Sequence, residues 1–285
     1  MMRPMCLART LGVLLAAAFA LPACAPVAAP TAPPRLEDCH KDRLATLYQG
    51  VFTFGTDQPV YPPWYIGDNP ANGEGFEAAL AYAVADRLGY QPEEVRWVRV
   101  PFSEALVPGP KSFDANLSQF SITDQRRAAV DFSSPYFDVN QAVVTVKSSP
   151  AARVRTVDEL KALRLGAEVG STSHTAAVAV HSRNPVEVYN TTGDAKLALA
   201  NGEIDALVAD LPTAFTVAGE LRDGMMVGQL PPGGDQVEQF GVVLGKGSPL
   251  TPCVSAIIEE LRRDGTLERL ESTWLAEAGR APVLT

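Results

Sequence analysis

The sequence predicts an α/β protein with two mainly parallel sheets flanked by helices. Between Gly50 and Gly265, short runs rich in β-branched and aromatic residues alternate with segments whose apolar residues recur at helical spacing. The helical segments carry start and stop signals: a capping box opens one, and glycines end two others. The alternation begins afresh near Gln141, and this second set, roughly a hundred residues, is large enough for a core of its own.

Arg3 and Arg9 precede an apolar run over residues 11–21, too short to span a bilayer as a stable helix, so residues 1–23 read as a secretory signal. The run ends in Leu21-Pro22-Ala23-Cys24, which resembles a lipobox. Cys24 is then a lipidation site, or a spare thiol if an ordinary signal peptide is cut nearby. Residues 25–34 are almost wholly Ala, Pro, Val and Thr, a composition that buries no core, so a tether is expected over 24–46. A first strand follows at 51–56. Phe76, Leu80, Val84 and Leu88 mark a helix with one buried face, stopped at Gly89, and a strand returns at 95–100. In the second set come a strand at 143–146, a helix opened by the capping box Thr156-Val157-Asp158-Glu159, and a strand at 164–167. A helix from about Ser173, a strand at 186–189, a helix at 194–201 and a strand at 204–209 complete it. Beyond it a strand at 240–244 and a helical stripe, Val254, Ile257, Ile258 and Leu261, run to Gly265.

Loss of residues 1–23 removes two arginines and no acid, which takes the net charge from −9 to −11. An acidic chain of this kind argues against a nucleic-acid partner. Of the four cysteines, Cys6 leaves with the signal and Cys24 is assigned to lipid. Cys39 and Cys253 remain in an oxidising compartment and are expected to pair; two buried free thiols are the alternative. His174 and His181 stand seven apart on the expected helix, about 10 Å along its axis, too far to share one ion, so no metal site and no cofactor are expected.

Ser121-Ile122-Thr123-Asp124-Gln125-Arg126 places a hydroxyl and a guanidinium on one turn at a helix start. Thr123 can cap that helix, while Arg126 offers a bidentate fork to a carboxylate. Asp210, at the end of the strand 204–209, supplies the opposite charge and suits an ammonium. Arg126 could instead form a surface pair with Asp124 or Asp131, and Asp210 could also cap the helix containing Pro212.

Six pieces, in order, resemble the extracellular solute-binding proteins of family 3, the amino-acid receptors of bacterial ABC importers. They are Gly55-Thr56-Asp57 with Tyr61 and Trp64, Gly75-Phe76-Glu77, the stretch from Ser121 to Arg126, Gly170-Ser171-Thr172, Asp210, and Asp264-Gly265-Thr266-Leu267. The resemblance implies a two-lobed periplasmic-binding-protein fold of type II. Lobe 1 would comprise 47–140 plus 238–285 and lobe 2 would comprise 141–237, with hinge strands near 138–141 and 237–240. It implies an exported, monomeric protein, anchored on the outer face of the cytoplasmic membrane or held in the periplasm, that delivers a free amino acid to a permease.

Under that resemblance Arg126, Ser121 and the turn Gly170-Ser171-Thr172 receive the ligand's carboxylate, and Asp210 takes the ammonium. Tyr61 and Trp64 lie where relatives set aromatics against the ligand's side chain; Trp64 could equally pack on its own lobe. Gln119 stands where relatives often have a small residue, so its amide would intrude on the pocket. Glu168 and Asp57 would face the ligand's variable end and favour a cationic or amide side chain, unless Glu168 bonds a neighbouring base. An enzyme on the same scaffold, such as a cyclohexadienyl-type dehydratase with Glu168 or Asp210 as acid or base, is the alternative function.

Overall fold

In the computed structural model, which describes residues 36–233, 237–276 and 281–285, the first lobe starts with β1 (Phe52–Thr56), α1 (Phe76–Arg87), β2 (Val95–Arg99), α2 (Phe102–Ala105), β3 (Ala115–Asn116), α3 (Asp124–Arg127) and β4 (Val130–Val139). The signal segment, Cys24 and the stretch to residue 35 lie outside the described residues. The second lobe holds β5 (Gln141–Val146), α4 (Val157–Leu160), β6 (Leu165–Glu168), α5 (Thr172–Ala179), β7 (Glu187–Tyr189), α6 (Thr192–Ala200), β8 (Ala206–Asp210), α7 (Leu211–Glu220) and β9 (Gly224–Gln229). Then β10 (Glu238–Gly245), α8 (Thr251–Arg263) and α9 (Thr266–Trp274) return to the first lobe.

The strands form two sheets, ordered β2-β1-β3-β10-β4 and β7-β6-β8-β5-β9. In the first, β1 runs parallel to β2 and β3, and β10 runs antiparallel to both β3 and β4. In the second, β6 runs parallel to β7 and β8, and β5 runs antiparallel to β8 and β9. Each sheet is therefore mixed by a single reversed strand. The reason is topological. The βα units end their strands at the cleft between the lobes, whereas β5 and β10 enter directly from the opposite lobe, start at the cleft, and must run away from it.

Each sheet buries its own apolar layers. Phe52, Phe54, Phe76, Leu80, Phe240, Ile257 and Ile258 belong to one core, and Val143, Leu165, Val208 and Val227 to another. The capping box at Thr156 is formed, its hydroxyl accepting from the Glu159 amide while the Glu159 carboxylate accepts from Thr156. Two strands carry no periodic signal. β4 contains Pro135 and β9 contains Gly224 and Gly228, and both are edge strands, where such residues are tolerated. The helix expected to carry both histidines stops sooner: α5 ends at Ala179, and His181 follows in the left-handed region.

Cys39 and Cys253 form a disulfide across 214 residues of sequence, with Cα atoms 5.3 Å apart. Residues 36–46, read above as part of the tether, are held on the first lobe instead. Cys39 is 1 % exposed, the Lys41 amide donates to Leu88 O, and Lys41 Nζ pairs with Glu94 at 2.8 Å. The C-terminus departs in the other direction. Residues 281–285, read as lobe 1, lie on the second sheet: Val283 bridges Gln229, Leu284 enters the second core, and Thr285 O accepts from the Val157 amide. Replacing Cys39 and Cys253 by serine is expected to lower stability by about 2 to 4 kcal/mol by freeing the unfolded chain. Urea unfolding under oxidising conditions checks this, and an unchanged midpoint would contradict it.

Candidate functional site

The carboxyl ends of β1, β6 and β8 converge on one cavity of about 60 Å³ between the lobes, lined among others by Asp57, Glu168 and Asp210. Tyr61, Trp64, Gln119, Ser171 and Thr172 line it too, whereas Ser121, Arg126 and Gly170 sit just beside it. No lysine or arginine lines it among the described residues.

Each side-chain carboxylate is held by neutral donors, though Arg99, which donates to the Asp57 backbone carbonyl at 2.8 Å, partly offsets the rise that burial causes at Asp57. Asp57 accepts from the amides of Gln58 at 2.7 Å and Phe102 at 3.1 Å. Glu168 accepts from the Thr192 hydroxyl at 2.7 Å and the Thr192 amide at 3.0 Å. Asp210 caps α7 by accepting from the Thr213 amide at 3.0 Å, so the capping role and the exposure to the cavity coexist. Burial disfavours their charged forms. It raises Asp57 above the usual carboxylate range, and raises Glu168 to about 7 with the charges of Asp57 and Asp210 adding to the effect. Asp210 is raised to about 6, again chiefly by burial. Among the described residues Glu168 bonds no lysine or arginine; its partner is Thr192 on the first turn of α6.

Arg126 sits on the turn that Thr123 caps through the Arg126 amide at 3.2 Å. Its guanidinium lies 5.3 Å over the Phe102 ring, donates to Ser121 O at 2.8 Å, and reaches across the cleft to Gly170 O at 3.0 Å. The surface pair with Asp124 or Asp131 is not formed; Asp131 pairs with Lys246. Burial lowers Arg126 to about 10, and the charge of Glu238 works against that shift. Ser171 caps α5 by accepting from the His174 amide at 3.0 Å.

The lobes touch through other groups as well. Trp64 is a core residue and a bridging one: it packs edge-on against Phe76, Phe137 and Phe240, and its Nε1 donates to Thr213 Oγ1 at 2.8 Å. Tyr61 meets the start of α6, where a Cβ on Gly193 would stand 2.2 Å from the Tyr61 hydroxyl. A larger residue at 193 would push the Tyr61 hydroxyl aside. Gln119 adopts a left-handed φ of 51°, and its amide does not lie free in the pocket. It is drawn back onto Glu77, which also accepts from the Gln119 backbone amide at 2.8 Å and from the Tyr136 hydroxyl. Burial raises Glu77 to about 7. Gly75 lets the start of α1 close on the Trp64 backbone, where the Glu77 amide donates to Trp64 O at 3.1 Å: at φ 104° a Cβ on residue 75 would lie 2.4 Å from that oxygen.

Sequence reasoning missed Gln141, Thr192, Thr213, Phe102 and Glu238. Gln141 is the first residue past the crossover and Glu238 the first of β10, so only the crossover geometry marks them. Glu77 was visible within Gly75-Phe76-Glu77, but its bond to Gln119 was not.

A family model described as bacterial extracellular solute-binding proteins, family 3, matches residues 52–277. The chain belongs to this family. Among family 3 relatives, it is 29% identical over 249 residues to the L-arginine-binding protein of Pseudomonas aeruginosa, covering 82% of this chain and 94% of that one. It is 26% identical over 250 residues to the ABC transporter glutamine-binding protein GlnH of Bacillus subtilis, covering 85% and 87%. Among solved structures it is similar to an ancestral arginine-binding protein bound to glutamine, with a TM-score of 0.67, 28% identity, and coverage of 81% of this chain and all of that one. The type II two-lobed architecture is thus shared in sequence and in shape.

Proposed function

We propose that this family 3 protein captures a cationic amino acid between its lobes and delivers it to the permease of an ABC importer. The observation that carries the reading is charge: Asp57, Glu168 and Asp210 share one cavity that no lysine or arginine lines among the described residues, with Arg126 at its edge. A zwitterion leaves water at little net cost only where each charge meets a hydrogen-bonded partner of opposite sign. Asp210 would take the ammonium, Arg126 with Ser121 and Thr172 the carboxylate, and Glu168 with Asp57 the side-chain cation, with Tyr61 as the aromatic wall. The arginine-binding relative supports the same ligand class. Binding by lobe closure, without chemistry, is the reading that the named relatives favour. Monomeric action, and export with lipid attachment at Cys24, belong to the same proposal; the latter rests on the apolar run before that cysteine.

Calorimetry with the twenty amino acids tests it. Arginine or lysine should bind most tightly at pH 8, where both side chains are charged; a preference for aspartate or glutamate, or no binding of any of the twenty, would overturn it. The pH dependence has a defined sign. A bound cation requires ionised Glu168 and Asp210, which tend to hold protons below about 7 and about 6. Affinity should therefore fall by at least about tenfold between pH 8 and pH 5.5. In the free protein these raised carboxyls act oppositely: the fold binds protons that the unfolded chain has lost, so their contribution to stability grows as pH drops below 7.

A further inference from the structure

Glu238 opens β10, where its backbone pairs with Val139 at the end of β4, and its side chain stands at the junction of both crossover strands and both lobes. Its carboxylate accepts from the Ser121 hydroxyl at 2.6 Å and from Gln141 Nε2 at 3.0 Å. Ser121 has one hydroxyl proton, and Glu238 receives it. The 3.0 Å contact between the Ser121 and Thr172 hydroxyls must then be donated by Thr172. Gln141 is fixed in turn, its carbonyl accepting from the Ser173 hydroxyl at 2.7 Å. Gln141 and Thr172 line both the binding cavity and a wider groove on the hinge side, and Glu238 lines that groove. Glu238 therefore stands in the partition between the two, near enough for its carboxylate to act on Arg126 through space.

We propose that Glu238 is a specificity-determining residue: its carboxylate holds the hydroxyl donors that face the ligand's own carboxylate, and so biases the cleft from amino acids toward the corresponding carboxylate-free amines. This rests on the reading of the cleft given above. Two carboxylates directed at one pair of hydroxyls repel each other and divide those donors between them. An amine lacking the carboxylate meets Asp57, Glu168 and Asp210 with no such conflict.

The test is calorimetry of the wild-type chain and the Glu238→Gln variant with two probes, L-arginine and its decarboxylated counterpart agmatine. Glutamine keeps the length and an acceptor for Ser121 while removing the charge, and thermal melts of both proteins confirm folding. The ratio of L-arginine to agmatine affinity should rise at least about tenfold in the variant. A smaller rise, or a fall, overturns the assignment of Glu238. A wild-type chain that binds neither probe overturns the cleft reading itself, and the two failures are thereby distinguishable. A variant that melts far below the wild type would make Glu238 a structural strut; Glu238→Asp, which keeps the charge, should then restore folding while leaving the wild-type ratio in place, and a tenfold shift of the ratio in that variant would also count against the proposal.

Discussion

Asp210→Asn should weaken binding of a cationic amino acid by at least about a hundredfold, because it removes the counter-charge proposed for the ligand's ammonium in a buried site. Asparagine is the informative replacement. Asp210 also caps α7 through the Thr213 amide, and asparagine caps about as well as aspartate, so the melting temperature of the free protein should move by no more than about 2 °C. Alanine would confound the two roles. The mutant should not lose stability at neutral pH, since the carboxylate it removes is disfavoured there by burial. Calorimetry and a thermal melt decide the matter, and unchanged affinity would remove Asp210 from the site.

Arg126→Ala should cost a similar factor of about a hundred or more in amino-acid affinity. The guanidinium joins Ser121 O in one lobe to Gly170 O in the other, so its removal takes away both the proposed partner of the ligand's carboxylate and a bridge. Arg126→Lys should recover little, because an ammonium lacks the planar fork that reaches two acceptors at once. The diagnostic comparison uses a ligand without a carboxylate, whose affinity should fall far less than that of the parent amino acid. Equal losses for both would show that Arg126 acts through the lobes alone.

Much of the architecture was legible in the sequence because most elements obey one period. The α1 stripe, the capping box at Thr156 and the apolar run into Asp210 each state their structure locally. The edge strands β4 and β9 do not, since proline and glycine are admitted where one side of the ladder needs no partner. The short tail 281–285 was misplaced because its partner, Gln229, is set by tertiary contact and leaves no trace in the tail itself. Around the cleft, Arg126 and Asp210 announce themselves by a charge at a capped helix start. Gln141 and Glu238 do not, because their importance comes from standing beside one another where two distant crossovers meet.

The two ends of the described chain ride on different halves of the molecule. Cys39 leashes the amino end to α8 of the first lobe, while Leu284 is sunk into the core of the second. A pair of fluorophores placed at the two ends would therefore read the separation of the lobes directly, making the protein a ready scaffold for an optical gauge of its ligand with no insertion into either sheet.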